Sequence, residues 1–187
     1  MSEHKHYLAG ENVWVRRVMP GEFCLAQPGE LLTTVLGSCV AVCITDPVAN
    51  VHGMNHFLLP QPSDHSLNGI NARYGDWAME ALINALIKQG AHRNRLVYKA
   101  FGGAKMWQGE SDIGGSNIGF LKQWLNLENS QLASSDLGGQ QGRLVRLWGE
   151  SGRVQMKRLA KAEHVVQEER AYQQQLLAQD SGDVELF

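Results

Sequence analysis

Three cysteines and seven histidines are the residues of this 187-residue chain best suited to covalent chemistry, and position singles out one pair. Cys39 follows Gly37-Ser38 at the mouth of an apolar run, Val40-Ala41-Val42-Cys43. A cysteine at a strand edge beside a glycine turn can meet a substrate carbonyl, and backbone N–H groups freed by the turn can stabilise the oxyanion that forms. The thiolate is the nucleophile, and a free thiol is mostly protonated near neutrality. An imidazole within hydrogen-bond reach is therefore its usual partner. His56 lies in the apolar segment Gly53-Met54-Asn55-His56-Phe57-Leu58-Leu59-Pro60, which should pair near the cysteine strand. His4, His6, His65, His92 and His164 stand among polar neighbours and read as solvated. The competing reading is structural. Free cysteine is among the most buried residue types, and a lone histidine among apolar neighbours is often a satisfied core residue. Cys24 and Cys43 are assigned to that class.

Cys39, Cys43, His52 and His56 also form a C-x3-C-x8-H-x3-H pattern that superficially suggests zinc. Geometry opposes it. If Cys39 to Cys43 is a strand, its ends lie about 13 Å apart at roughly 3.3 Å per residue. Two thiolates each about 2.3 Å from one zinc cannot be that far apart. Gly102-Gly103, Gly114-Gly115 and Gly138-Gly139 fit neither G-x-G-x-x-G nor a phosphate-binding loop, and they read as turns.

The elements that must position the pair follow from periodicity. Leu31 to Ile44 reads as strand, turn, strand, with Gly37-Ser38 as the turn. A short strand is predicted around Val13-Trp14-Val15, an apolar segment over Met54 to Leu59, and a loop over 61–72. Trp77, Ala78, Ala81, Leu82, Ala85 and Leu86 recur at helical spacing from Tyr74 to Gln89, and Gly90 can end that helix. Leu96 to Phe101 reads as a strand and Asn117 to Leu127 as a second helix. Arg143 to Trp148 and Arg153 to Lys157 flank Gly149-Glu150-Ser151-Gly152, a hairpin signal. Lys161 to Gln179 is expected to be helical and partly docked, ahead of a flexible end. Helices interleaved with strands, plus the late hairpin, predict an α/β fold with a mixed β-sheet core and helices packed outside. The domain is expected to span residues 1–159, and 160–187 to form a polar tail.

Composition is consistent with this. Apolar residues make up 43% of the chain and charged residues 19%, a globular balance. A net charge of -2 opposes a nucleic-acid partner. The polar start Met1-Ser2-Glu3-His4-Lys5-His6 carries no apolar signal core, and no apolar run is long enough to span a bilayer. A cytoplasmic protein without membrane insertion is expected. The odd cysteine count opposes a disulfide framework.

At these same residues the sequence resembles the CheD family of chemoreceptor glutamine deamidases. The resemblance runs through Leu36-Gly37-Ser38-Cys39-Val40-Ala41-Val42, Gly53 to Pro60, Tyr74 with the helix after it, and Lys99-Ala100-Phe101-Gly102-Gly103-Ala104. It continues through Ile113-Gly114, Asn117, Asp136-Leu137-Gly138-Gly139 and Gly142-Arg143. It implies a single-domain layered α/β sandwich and a protein-glutamine glutaminase acting on methyl-accepting chemotaxis receptors through a Cys-His-Thr triad. The cysteine falls on Cys39, the histidine on His56 and the threonine on Thr33, with Thr34 as the neighbour if the register slips by one. His56 would take the thiol proton, and Cys39 would attack the glutamine carboxamide. Ammonia would leave and water would hydrolyse the thioester, with no metal or organic cofactor.

The resemblance also implies a candidate second partner, a CheC-type phosphatase. Two departures bear on pocket shape: His52 stands where the family commonly has glycine, and Ser116 where it commonly has arginine. Two other functions stay open at this point, a non-catalytic binding module and a methyl esterase using the same triad. The terminal Val184-Glu185-Leu186-Phe187 is a candidate docking peptide, weighed against an unstructured end.

Overall fold

A computed structural model describes residues 5–59, 68–106, 112–160 and 163–180. Strands β1 (Lys5–Leu8), β2 (Val13–Arg17), β4 (Glu30–Leu36), β9 (Gly142–Trp148) and β10 (Val154–Leu159) form one sheet in the order β1-β2-β4-β9-β10. Strands β3 (Phe23–Ala26), β6 (Val51–Phe57), β5 (Val40–Asp46), β7 (Val97–Gly102) and β8 (Leu132–Leu137) form the other, in the order β3-β6-β5-β7-β8. Helices α1 (Asn68–Lys88) and α2 (Ile113–Leu127) cover the second sheet, and α3 (Glu163–Asp180) follows the last strand. The predicted layered α/β sandwich is the observed architecture.

Strand alternation sorts side chains into two cores. On β5, Val40, Val42 and Ile44 face the helices, where they pack with Phe57, Met79, Leu82, Ile83 and Leu86. Cys39, Ala41 and Cys43 face the other way, into the layer between the sheets, with Leu32, Leu36, Met54, Val145 and Leu147. The predicted late hairpin is β9–β10, paired antiparallel from Leu147↔Val154 to Gly142↔Leu159. The first two predicted helices are present, and both begin earlier than expected, at Asn68 and Ile113. Part of the predicted 61–72 loop is thus helical, and 60–67 lie outside the described residues, as do Val184 to Phe187.

The turn at Gly37-Ser38 is more than a reversal. β4 pairs with β2 and β9 in one sheet, while β5 pairs with β6 and β7 in the other. The chain therefore changes sheets at Gly37-Ser38-Cys39. A corner of this kind leaves backbone N–H groups outside both ladders, and these must find other partners.

At the far end of β5, Asp46 is fully buried and accepts from Val48 N, Ala49 N and His92 N at 2.9–3.1 Å. It is also gripped by Arg95, whose Nε and Nη2 lie 2.8–3.2 Å away. The Arg95 hydrogen bonds hold its carboxyl below the usual carboxylate range, against the opposing effect of burial. A carboxyl depressed in the folded state contributes stability that is present above its unfolded pKa and lost as pH falls through its folded value. Asp46→Asn should therefore lower the urea midpoint at neutral pH. The gap to wild type should narrow as pH drops below about 4, which paired denaturation curves at several pH values would measure.

Candidate active site

The sheet-switching corner brings together residues from β4, β5 and β6. In register, Ala41 of β5 pairs with His56 of β6, and Cys39 stands just before β5 on the same face as Ala41. Cys39 is fully buried and His56 is 2% exposed. The Sγ of Cys39, a ring nitrogen of His56 and a carboxylate oxygen of Glu169 all lie within 4.8 Å of one another.

Thr34 orients the histidine. Its hydroxyl donates to the Val18 carbonyl at 2.7 Å and stands 2.8 Å from His56 Nδ1, which is also 3.3 Å from Val18 O. Because the hydroxyl proton goes to Val18, the hydrogen between Thr34 Oγ1 and Nδ1 belongs to the ring. The network thus assigns the Nδ1–H tautomer and leaves Nε2 with a lone pair. Nε2 is buried and finds no hydrogen-bond partner among the described residues. That is the state a base for a neighbouring thiol requires. The backbone of His56 is pinned on the other side, since Gly21 N donates to His56 O at 2.7 Å and His56 N to Glu22 O at 2.9 Å.

Thr33, the residue expected beside His56, is elsewhere. Its hydroxyl donates to Val145 O at 3.2 Å, on the opposite face of β4. The reason is the two-residue period of a strand: Leu32, Thr34 and Leu36 face the inter-sheet core, so Thr33 must face away. Thr34 is the threonine in contact with the imidazole.

Backbone N–H groups converge at the corner. Gly37 N, Ser38 N and Cys39 N lie 2.7, 2.8 and 3.0 Å from the Glu169 carboxylate, and Ser38 Oγ lies 2.7 Å from it. The corner itself is clamped. Gly103 N donates to Cys39 O and Ala104 N to Gly37 O, both at 2.8 Å. Asn117 of α2 donates to Ser38 O at 2.8 Å and accepts from Leu59 N at 2.9 Å. The hydroxyl of Ser116, one of the two departures, donates to Asp112 O at 3.1 Å.

Gly102-Gly103, read from sequence as a turn, has a more specific task. Gly102 has φ +110, and a Cβ there would sit 2.1 Å from Cys39 O. Gly102→Ala should therefore destabilise the fold by roughly 2–4 kcal/mol. It should also displace Cys39, so the folded fraction should lose activity; thermal denaturation and an assay at matched folded fraction would measure both.

Burial pushes the Cys39 thiol well above the usual cysteine range, and the Glu169 charge adds to that shift. Burial likewise pushes His56 down, with Glu169 opposing. Both shifts favour the neutral thiol and the neutral imidazole. The Cys43 thiol is pushed to about 12 by burial, consistent with a packed residue. His52 is four residues from His56 along β6, opposite Thr45, with Nε2 3.1 Å from Asn50 Oδ1. Cys43 and His52 therefore do not join Cys39 and His56 in one cluster. Cys39, His56 and Glu169 form the one group of potential metal ligands among the described residues. The Glu169 carboxylate, however, is already aimed at four donors, which leaves a cation little to bind.

The fold and the cluster define an α/β sandwich with a buried cysteine–histidine centre at its inter-sheet corner. The family model for CheD, chemotactic sensory transduction, matches residues 58–158, and the chain belongs to the CheD family. A protein of Caulobacter vibrioides strain NA1000 named "Probable chemoreceptor glutamine deamidase CheD" is 48% identical over 163 residues, 87% of each chain. Proteins of the same name from Hahella chejuensis and Hydrogenovibrio crunogenus are 37% and 39% identical. They cover 100% and 95% of this chain, and 91% and 96% of their own lengths. Among the described residues no helix is long and apolar enough to cross a membrane.

Proposed function

We propose that this chain is a protein-glutamine amidohydrolase that converts glutamine side chains of chemoreceptors to glutamate. The relatives' shared name supports the reaction and its substrate class. The observation that carries the reading is the convergence of three backbone N–H groups beside the buried Cys39–His56 pair, already holding a glutamate side chain. N–H groups that hold a carboxylate oxygen here are placed to hold the oxyanion that forms when a thiolate attacks a side-chain carbonyl.

On this reading Cys39 Sγ attacks the glutamine side-chain carbonyl while His56 Nε2 takes the thiol proton. The Gly37, Ser38 and Cys39 N–H groups stabilise the oxyanion without reorganising, since the corner is fixed by Gly103, Ala104 and Asn117. His56 returns the proton to the departing nitrogen, the C–N bond breaks and ammonia leaves. His56 then draws a proton from water, which attacks the thioester; the C–S bond breaks and glutamate and thiol are restored. Thr34, rather than Thr33, holds the ring in its working tautomer. The reaction acts on the cytoplasmic part of the receptor, and a CheC-type phosphatase is the further partner of this reading. Residues 1–159 form the amidohydrolase domain, with 160–187 as an appendage.

The test is incubation of the full chain with a chemoreceptor cytoplasmic domain, followed by peptide mass spectrometry and an ammonia assay. Conversion of specific glutamines with matching ammonia release is expected. Binding without conversion would instead favour a binding module, and loss of methyl groups without ammonia an esterase.

A further inference from the structure

Glu169 is a glutamate at the place where the proposed reaction ends in a glutamate. It is 5% exposed and belongs to α3, more than a hundred residues from the corner that it occupies. Its Oε1 lies 2.7 Å from Gly37 N and 3.0 Å from Cys39 N, and its Oε2 lies 2.8 Å from Ser38 N and 2.7 Å from Ser38 Oγ. Such a set of charge-assisted hydrogen bonds is strong, and burial strengthens it. The fit is close enough that a Cβ on Gly37 would stand 2.9 Å from Glu169 Oε2.

Its neighbours on α3 hold the helix to the mouth of the site. Glu168 pairs with Arg17 on β2. Tyr172, three residues further and so on the same helix face as Glu169, packs on the bare backbone of Gly21, where a Cβ would stand 1.9 Å from its hydroxyl. Its hydroxyl also bonds that of Tyr74 on α1. Gly21 is the residue whose N–H holds the His56 carbonyl, and the Glu169 carboxylate lies within 4.8 Å of Cys39 Sγ and a His56 ring nitrogen, so α3 reaches both halves of the catalytic pair.

We infer that α3 is a product analogue carried in cis: Glu169 fills the subsite of the reacting glutamine side chain, and a receptor must displace α3 to be deamidated. The inference rests on the proposed glutamine chemistry for what the subsite recognises. Its geometry stands on α3 itself. The helical presentation of Glu169 further implies that the site accepts side chains offered from a helical turn.

Two full-length variants test it. Alanine favours helix, so Glu169→Ala should leave the fold and α3 formed while removing the plug. Alkylation of Cys39 by iodoacetamide, followed by peptide mapping, should then accelerate by at least about tenfold, the worth of one charge-assisted hydrogen bond. The apparent KM for a receptor fragment should fall with it. An unchanged alkylation rate would overturn the inference, whether or not the chain converts receptors.

Glu169→Gln should place a substrate side chain where the product now sits. Attack by Cys39 would break its C–N bond, release ammonia and leave a thioester, and water would then restore the thiol and the native glutamate. Mass spectrometry should show that conversion, and a Glu169→Gln chain that also carries Cys39→Ala should keep its introduced glutamine. Persistence of the introduced carboxamide in a Glu169→Gln chain that is active on receptors would overturn the product-analogue assignment. Faster alkylation of Glu169→Ala with no conversion of any glutamine would instead sustain the plug and refute the proposed reaction.

Discussion

Cys39→Ala should reduce glutamine conversion by about 10³-fold or more, the scale expected when a covalent nucleophile is removed. The residue is fully buried, in contact with the inter-sheet core, and alanine keeps its apolar character. The loss of fold stability should stay near 1 kcal/mol. The backbone N–H groups of Gly37, Ser38 and residue 39 remain in place, so receptor binding should persist. That combination separates chemistry from docking. Cys39→Ser should be nearly as inactive, because the hydroxyl is a far poorer proton donor to a histidine whose own basicity burial has lowered. Steady-state rates by ammonia release, with receptor binding measured on the same samples, would check all of these outcomes.

The second large effect concerns His56 and its support. His56→Ala should cost about 10³-fold in kcat, since both proton transfers lose their carrier. Thr34→Val keeps the shape but removes the oxygen that fixes Nδ1, and about 10- to 100-fold should be lost as the ring samples its other tautomer. Thr33→Val, on the other face of β4, should stay within about twofold of wild type. This contrast is sharp because the two threonines are adjacent and chemically identical. The pH profile adds a signed prediction. A base must be neutral to act, and burial depresses His56, so the acid limb of kcat/KM should fall below the ordinary histidine value of about 6.5.

Cys39, His56 and the Gly37-Ser38 turn are legible because they break pattern: a glycine-serine pair inside a β-branched run, and a histidine inside an apolar one. The face of β4 was legible too, in principle. Leu32, Thr34 and Leu36 alternate with Thr33 and Val35, and the leucines mark the buried face. Thr33 follows from the family's motif position alone, which carries no strand face, and the face places the adjacent Thr34 against the imidazole. Strands β1, β3 and β8 left weak signals. Each has at most six residues, and β8, Leu132-Ala133-Ser134-Ser135-Asp136-Leu137, is mostly small and polar.

The change of sheet at Gly37-Ser38 was hidden for a different reason. Strand, turn, strand is the same sequence pattern whether the strands pair with each other or with others, and partner choice is settled by contacts distant in sequence. Glu169 was invisible on the same grounds. It lies in a polar, glutamine-rich stretch that reads as a helical, partly docked tail with nothing to mark which residue docks, and only the docking of α3 brings its carboxylate to three N–H groups 130–132 residues away.

The central claim, that Cys39 carries the reaction covalently, is tested most directly by acid-quenching the wild-type chain in the first turnovers with a receptor fragment and mapping the products by mass spectrometry. The account predicts a transient thioester joining Cys39 Sγ to the side-chain carbonyl of a receptor glutamine, with one ammonia lost for each link formed. Glutamate appearing at full rate with no adduct on Cys39 at any quench time would contradict it.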